Sequence, residues 1–194
     1  MPKLLLIAHL GSGASMVAVK DGASIATTMG YSTADGLVMS TRSGALDPGV
    51  IITLMRDEAM GLNELEDLLY RKSGSLGLSG ISDDMRILLA SDAPRASAAI
   101  DDYCYWAARH AGSRVTALEG IDGFVFTASV GENAAPVRDA IIRHLGWLGL
   151  TVDDARNKVG GPEISPPGVA SPVWIVRANE ELTIASHTRQ LLQR

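Results

Sequence analysis

The sequence predicts an α/β domain in which an antiparallel meander is followed by alternating helices and strands. Three strand-like apolar runs open the chain, at Leu4–His9, Ala14–Lys20 and Ala23–Met29, and short turns rich in glycine separate them. Beyond residue 46, apolar residues recur with helical spacing and are interrupted by the short apolar run Phe124–Phe126. The chain has 194 residues, 46% of them hydrophobic and 20% charged, which is enough for the core of one domain or two small ones.

The first strand and the turn after it form a first candidate binding site. Leu4–His9 is nearly continuous in apolar residues, as expected of a strand buried on both faces. The turn Gly11–Ser15 follows, and its two glycines permit positive φ and leave room for a ligand near the main chain. Amide N–H groups beside the imidazole of His9 and the hydroxyl of Ser12 suit a phosphate. The same residues also fit a glycine-rich hairpin without a ligand.

A long irregular segment follows the meander. Asp21 and Gly22 predict a two-residue hairpin turn before the third strand. Gly30–Ala45 is rich in Gly, Ser and Thr, without a clean period, and a segment of this kind in a compact domain is usually functional or disordered. Its only basic residue, Arg42, stands among small hydroxyl residues. Its fork geometry suits an oxyanion, and a solvated loop arginine is the equally weighted alternative.

Helix signals follow this segment. Asp47 and Pro48 predict an N-cap and a first helical residue, and Gly61 predicts the end of that helix. Asn63 and Glu66 have the spacing of a capping box for the next helix. The apolar face of the first helix is expected to contain Val50, Ile51, Leu54, Met55 and Ala59.

Two further segments precede the second half of the chain. The run Asp83–Arg86 could be catalytic, but an N-cap for a short helix at Met85–Ala90 is the favoured interpretation. The longest helix is predicted over Pro94–Ala111, with Gly112 as its C-cap. Its aromatic cluster around Tyr103 is more typical of a core or a subunit interface than of a cofactor site.

A second candidate anion site follows the strand Phe124–Phe126. A small-residue turn at Thr127–Asn133 leads into a helix, and a helix amino terminus presents free N–H groups and a positive dipole end to an anion. Near the end of the chain, Asn179 is expected to cap a last helix whose first turn contains Glu180. A first-turn glutamate usually serves the helix dipole, and beside a phosphate turn it could instead hold Mg²⁺ through water.

Composition excludes several classes of protein. A net charge of −5 argues against a general nucleic-acid binder. The single cysteine, Cys104, rules out an intrachain disulfide framework and fits a reducing compartment. The apolar run at the amino terminus is too short for a signal peptide or a spanning helix. A cytoplasmic protein without a membrane partner is therefore expected.

The order of these motifs resembles that of the acetate kinase family, which contains acetate and propionate kinases. The matching motifs follow the family's order and approximate spacing along nearly the whole chain. They are His9–Ser15, Thr28–Gly30, Gly36–Gly44, Asp47–Gly49, Lys72–Gly74, Phe126–Asn133 and Asn179–Leu182. The family's proteins consist of two ribonuclease-H-like lobes of the actin-like, sugar kinase and Hsp70 ATPase superfamily. The resemblance implies that residues 1–194 form a single C-terminal nucleotide-binding lobe, with the family's N-terminal lobe absent.

The resemblance also implies a role for individual residues. Arg42 and His9 are implied to be catalytic, with Arg42 similar to the arginine that binds the transferring phosphoryl group and the carboxylate. Glu180 resembles the glutamate that supports Mg²⁺. The residues that resemble contacts to ATP or ADP are His9, Gly11, Ser12, Gly13, Asp84, Met85, Arg86, Ser129, Gly131, Glu132 and Asn133.

This sequence departs from the family pattern at several positions. Ser40 replaces the glycine of Met-Gly-Thr-Arg, and Ala128–Val130 replaces Gly-Gly-Ile in the adenosine loop. The Cβ and hydroxyl of Ser129 are expected to crowd the adenosine or to disturb a positive-φ position. Thr33 stands where many members have a proline beside the substrate methyl group, which leaves the size of the substrate open.

The activity implied by the resemblance is a reversible phosphotransfer. The γ-phosphoryl group of ATP moves to acetate or propionate, which gives an acyl phosphate such as acetyl phosphate, and ADP. Positioning and charge neutralisation catalyse such a transfer. The partners implied are nucleotide, Mg²⁺, a short-chain carboxylate and a second copy of the chain in a homodimer. One alternative is a truncated, non-catalytic nucleotide-binding or dimerisation module, and another is a half-enzyme that works with a separately encoded first lobe.

Overall fold

The computed structural model describes residues 2–193. Its centre is a five-stranded sheet in the order β3-β2-β1-β4-β5, in which β1 to β3 are antiparallel and β4 and β5 run parallel to β1. The strands are β1 Leu4–Leu10, β2 Ala14–Lys20, β3 Ala23–Thr27, β4 Gly123–Thr127 and β5 Val173–Ile175. The helices are α1 Pro48–Arg56, α2 Leu62–Arg71, α3 Gly74–Ser79, α4 Met85–Leu89, α5 Pro94–Leu118, α6 Ala128–Asn133, α7 Ala135–His144, α8 Asp154–Val159 and α9 Glu180–Leu192, with a 3₁₀ turn at Gly146–Leu148.

The predicted meander is confirmed. Asp21 and Gly22 both have positive φ, as the tight turn between two twisted strands requires. The third strand ends at Thr27, two residues before the predicted Met29. The cause lies in Thr28, whose buried hydroxyl accepts a hydrogen bond from the Met16 N–H at 2.8 Å. This side chain takes the place of a ladder carbonyl and ends the pairing.

Burial along β1 differs between its two faces. Leu6, Ala8 and Leu10 are fully buried, whereas the residues between them are half buried. The long helix α5 packs against β1 and β2, and its buried residues share one core with Leu6, Ala8 and Leu10. The prediction that β1 is buried on both faces therefore holds fully for this face only, since the residues of the other face are partly exposed.

Helix α5 is longer than predicted. It continues through Gly112 to Leu118, and its C-cap is Glu119, which has a φ of +61°. Glycine inside a helix costs about 1 kcal/mol relative to alanine, but the buried side chains of Val115 and Leu118 extend the apolar face beyond it. Packing outweighs the local signal at Gly112. None of the helices within residues 2–193 has both the length and the apolar content needed to cross a membrane.

The caps of α1 and α2 follow from neighbouring polar residues. The Asp47 carboxylate accepts the Gly49 N–H at 2.6 Å, as predicted. The helix ends at Arg56, however, and Gly61 is the N-cap of α2 rather than the end of α1. The Glu64 carboxylate accepts the Gly61 N–H at 2.9 Å. The capping box predicted for Asn63 and Glu66 is therefore wrong by two residues.

The single cysteine provides a test of the packed core. Cys104 is fully buried on α5, and burial raises the pKa of its thiol to about 12. Only the thiolate reacts with disulfide reagents, and an unfolded cysteine has a pKa of about 8.5. At pH 8 the native thiolate fraction is then about a thousandfold smaller than the unfolded one. We expect Ellman's reagent to label Cys104 only in concentrated urea, and equal rates in buffer and in urea would contradict this burial.

Candidate active site

A cleft of about 930 Å³ opens at the carboxyl ends of β1 and β4. These strands are parallel, and His9 pairs in register with Thr127. The turn after β1 and helix α6 after β4 therefore emerge side by side. The other sides of the cleft come from the loop 29–42 and from the start of α9. The predicted residues that line it are His9, Gly11, Ser12, Gly13, Arg42, Ser129, Glu132, Asn133 and Glu180.

A second cavity of about 560 Å³ adjoins the first. Ser12, Ser129 and Asn133 line both cavities. The predicted residues that line only the second are Asp84, Met85 and Arg86. The arrangement forms one continuous surface with a polar cleft on one side and a more enclosed cavity on the other.

The predicted catalytic histidine and the predicted magnesium ligand lie together. His9 Nε2 is 3.8 Å from Glu180 Oε1. His9 lies near the carboxyl end of β1, the central strand of the sheet. Glu180 is the first residue of α9, which begins where Asn179 Oδ1 accepts the Leu182 N–H at 3.1 Å, as predicted for the cap. Residues that are 171 positions apart in the chain thus meet at one edge of the cleft.

Arg42 is half buried and directed by its own loop. Its Nη1 donates to the carbonyl oxygen of Thr33 at 3.1 Å. The main chain of the loop is fixed on both sides, since the Ser40 N–H donates to the Ser12 carbonyl and the Ser73 N–H to the Thr41 carbonyl. These bonds hold the guanidinium group against the cleft rather than in open solvent.

Helix α3 approaches the Arg42 loop too closely for a side chain. Gly74 has a φ of +61°, and a Cβ there would overlap the Met39 carbonyl oxygen and lie 2.8 Å from that of Arg42. Gly74 is thus required both by its conformation and by this contact.

The cap predicted for the Asp83–Arg86 segment is confirmed. Asp84 Oδ1 accepts the Arg86 N–H at 2.9 Å at the start of α4. The Arg86 guanidinium also donates to this carboxylate, and that hydrogen bond holds the pKa of Asp84 below its usual range. The capping role is compatible with a place in the site, because the ion pair of Asp84 and Arg86 lines the second cavity.

The residues of α6 have different surroundings. Gly131 is buried and lies outside both cavities, where a Cβ would contact Phe126 and Leu10. Glu132 Oε1 accepts the Ala128 N–H at 2.9 Å, so the first amide expected to face an anion already has a partner. The Asn133 side chain donates to the Ser129 carbonyl oxygen at 2.8 Å.

The predicted conflict between Ser129 and a positive-φ position is wrong. Ser129 lies inside α6, and the left-handed residue is its neighbour Ala128, with a φ of +66°. Alanine rarely adopts this conformation, because its Cβ approaches the following carbonyl oxygen. Strain of this kind collects at functional sites. The expected crowding of the adenosine by Ser129 stays a prediction.

Ala128→Gly is expected to raise the free energy of unfolding by about 1 kcal/mol, since glycine relieves the left-handed strain. Urea unfolding followed by tryptophan fluorescence measures the change. Ala140→Gly in the regular helix α7 serves as the control and should lower the same quantity by about 1 kcal/mol. Equal destabilisation by both substitutions would contradict the strain at Ala128.

The side chains near Glu180 bear on the magnesium site predicted there. Within residues 2–193, no group of three or more His, Cys, Asp or Glu side chains is arranged to hold a metal ion. Magnesium is commonly bound through one or two carboxylates together with waters and substrate phosphates. Glu180 is a single exposed carboxylate at the edge of the cleft, and the magnesium site there stays a prediction.

Several residues around the site were not identified from the sequence. Met29, Tyr31 and Asp35 line the cleft, but the irregular loop gives no period that would have selected them. Arg138 lies behind α6, where its Nη1 donates to the Gly131 carbonyl oxygen at 3.0 Å. The sequence does indicate that Arg138 faces the core, since it stands three and four residues before the apolar pair Ile141 and Ile142.

Comparison with known proteins identifies the family. Residues 3–186 match the model of the Acetokinase family. The chain is 48% identical to an acetate kinase of Rhodopseudomonas palustris (strain TIE-1) over 189 residues, which are 96% of this chain and 48% of that protein. It is 44% identical to an acetate kinase of Rickettsia prowazekii over 192 residues, which are 99% of this chain and 50% of that protein. The chain thus spans about half the length of these relatives.

Solved structures agree with the fold. The Porphyromonas gingivalis acetate kinase superposes with a TM-score of 0.90 at 36% identity, over 98% of this chain and 49% of that one. A Francisella tularensis propionate kinase superposes with a TM-score of 0.88 at 36% identity, over 93% of this chain and 47% of that one. The predicted α/β fold, a ribonuclease-H-like lobe, is confirmed, and the chain belongs to the acetokinase family.

Proposed function

We propose that this chain is the C-terminal, nucleotide-binding lobe of a carboxylate phosphotransferase. The reaction is the reversible transfer of the γ-phosphoryl group of ATP to acetate or propionate, with acyl phosphate and ADP as products. The observation that carries the proposal is the meeting of His9, Arg42 and Glu180 around one cleft, with a second cavity beside it. This arrangement combines a cation, an imidazole and a carboxylate for Mg²⁺ with room for a nucleotide.

The two cavities correspond to two parts of a nucleotide. The more enclosed cavity, with Met85 buried in its wall, suits the adenosine. The turn at Ser12 and Gly13 lies in the polar cleft, and its main-chain and hydroxyl groups suit the phosphates. Ser129 and Asn133 stand between the two, where the ribose and the α-phosphate would lie. The proposal thus places the γ-phosphoryl group toward His9 and Arg42.

The chemistry required of these residues is mainly electrostatic. A carboxylate oxygen forms the new bond to the γ-phosphorus while the bond to the β,γ-bridging oxygen breaks and its electrons remain on ADP. Arg42 neutralises charge on the transferring group and orients the carboxylate through its fork of donors. His9 donates a hydrogen bond to the same group. Magnesium held through Glu180 would neutralise charge on the β- and γ-phosphates.

A non-catalytic nucleotide-binding or dimerisation module is the second candidate. It is favoured by the hydroxyl-bearing residues Ser40 and Ser129 in the wall of the second cavity. Under this candidate the chain binds nucleotide or a second copy of itself but does not form acyl phosphate.

An acyl-hydroxamate assay with ATP, Mg²⁺ and acetate distinguishes the two candidates. We expect little or no turnover by the chain alone. We expect turnover when it is joined to the amino-terminal half of the Rhodopseudomonas palustris acetate kinase. Propionate in parallel reactions determines the preferred substrate. A joined protein that folds and binds Mg-ADP, yet forms no acyl phosphate, would favour the non-catalytic module.

A homodimer is part of the same proposal. Helix α1 has no buried residue, and Ile52 and Met55 on one side of it are 56% and 45% exposed. Exposed apolar side chains on one helix face suit a contact between subunits. We expect light scattering to show a dimer, and the double substitution of Ile52 and Met55 by glutamate to yield a monomer with an unchanged circular dichroism spectrum. A wild-type monomer at every concentration would contradict this.

A cytoplasmic location, where ATP is supplied, completes the proposal.

A further inference from the structure

Glu132 connects two neighbouring segments that both line the cleft. Its Oε1 accepts the N–H of Ala128, at the start of its own helix, at 2.9 Å. The same oxygen accepts the N–H of Ala178 at 2.8 Å. Ala178 is 46 positions away and lies between β5 and α9. One half-buried carboxylate thus holds α6 and this connection, residues 176–179, together.

The connection leads directly to Glu180. The Val176 N–H donates to the Phe126 carbonyl oxygen at 2.9 Å, which continues the pairing of β5 with β4. Two residues later, the bond from Ala178 to Glu132 fixes the chain just before the Asn179 cap. Helix α9 itself has no buried residue. Its position against the domain therefore depends strongly on the contacts made by the connection.

The charge on Glu132 strengthens this connection. Hydrogen bonds to an ionised acceptor are shorter and stronger than neutral ones. Both amides donate to Oε1. A glutamine at this position could therefore accept the same two hydrogen bonds through its side-chain oxygen. The position of Glu180 therefore depends on the geometry of these two hydrogen bonds and not only on the charge of Glu132.

We infer that Glu132 is a positioning residue, whose carboxylate fixes the connection to α6 and thereby holds Glu180 beside His9. Glu180 lies 3.8 Å from His9, and the connection that leads to Glu180 is bonded to Glu132. The role differs from the direct nucleotide contact that the family resemblance implies. The part of the inference that concerns Mg²⁺ rests on the proposed function.

Three variants test the connection itself. We expect Glu132→Ala to increase tryptic cleavage after Arg177 and hydrogen exchange at the Ala178 amide, because both lie in the released connection. Glu132→Gln should keep most of the wild-type protection, since its side-chain oxygen can accept both bonds but lacks the added strength of a charged acceptor. Glu66→Ala, at an exposed position on α2, controls for loss of a negative charge. Unchanged cleavage and exchange in Glu132→Ala would overturn the inference.

Calorimetry with ADP, with and without Mg²⁺, tests the consequence for Glu180. Loss of a residue that orients a metal ligand costs about 10- to 100-fold in metal affinity. We expect Glu132→Ala to reduce the gain in ADP affinity produced by Mg²⁺ by about tenfold. Glu180→Ala should remove the same gain, and the double variant should lose no more than Glu180→Ala alone. Glu132→Gln should retain the gain.

The opposite outcomes are equally specific. If Glu132→Ala and Glu132→Gln both weaken ADP without Mg²⁺, Glu132 binds the nucleotide directly and the inference is wrong. If the wild-type chain binds no Mg-ADP, the proposed function fails. Tryptic cleavage and hydrogen exchange still test whether Glu132 fixes the connection. Ala178→Pro removes one N–H and leaves Glu132 and its bond to Ala128 intact. It should therefore reproduce the loss of the Mg²⁺ effect even if Glu132→Ala does not fold.

Discussion

Replacing Arg138 by methionine is expected to lower the free energy of unfolding by about 3 kcal/mol, since it leaves three buried acceptors unpaired at a cost of about 1 kcal/mol or more each. Arg138 is only 1% exposed and is the largest fully buried side chain of the residues described. Its guanidinium donates to the Asn157 side-chain oxygen and the Asn157 carbonyl oxygen, both at 2.7 Å, and to the Gly131 carbonyl oxygen at 3.0 Å.

All three acceptors of Arg138 are neutral. Burial without a carboxylate partner lowers the pKa of the Arg138 guanidinium, and removal of the charge recovers part of this desolvation. Methionine cannot satisfy the acceptors, however, and Asn157 loses the partner that orients it toward the Ala135 carbonyl oxygen. The loss of hydrogen bonds therefore outweighs the recovered desolvation. The same substitution should weaken nucleotide binding, because Gly131 lies in the middle of α6.

Urea unfolding followed by fluorescence measures this prediction, since the chain contains three tryptophans. Arg143→Met on the same helix is the matched control. Arg143 pairs with Asp139 at the surface, where its side chain is 72% exposed, and loss of such a pair should change stability by less than about 1 kcal/mol. Arg138→Lys should fall between the two, because an ammonium can reach fewer of the acceptors. Equal midpoints for both methionine variants would contradict the prediction.

Local signals predicted the parts of the fold that depend on neighbouring residues. The Asp21–Gly22 turn, the Asp47 and Asn179 caps and the strand predicted at Phe124–Phe126 all follow from short-range chemistry. His9, Arg42 and Glu180 meet at one cleft because the Arg42 loop is hydrogen-bonded to the turn after β1 and because strand pairing places β1, β4 and β5 side by side. That pairing joins distant parts of the chain, so no periodicity could predict it. Only the order of the family's motifs indicated that these residues meet.

The errors arise where packing overrides a local signal. Gly112 has the local signature of a helix end, yet Val115 and Leu118 are buried on the same helix. Arg138 was overlooked because charged residues are rarely fully buried. The two partners of Glu132 could not be predicted either, since Ala128 and Ala178 contribute only their backbone amides. A sequence does not distinguish one backbone amide from another.

Arg42→Ala is expected to reduce kcat for acyl phosphate formation by about 100- to 1,000-fold in the protein joined to the Rhodopseudomonas palustris half. Loss of one preorganised donor to a developing charge typically has an effect of about this size. The Thr33 carbonyl and the fixed main chain of the loop orient Arg42 before any substrate arrives, so its contribution requires little reorganisation during the reaction. Arg42→Lys should recover only a small part of the rate, because an ammonium lacks the planar fork that binds two oxygens.

The division of the Arg42 effect between kcat and KM identifies its role. A lower kcat with an unchanged KM for ATP assigns Arg42 to the transition state, whereas a higher KM alone would indicate ground-state binding and would contradict the prediction. Arg71→Ala is the control, since Arg71 is an exposed arginine that pairs with Asp67 on α2. It removes the same charge at a distance from the cleft and should leave both constants unchanged. A parallel loss in both variants would show that net charge, rather than the position of Arg42 in the cleft, sets the rate.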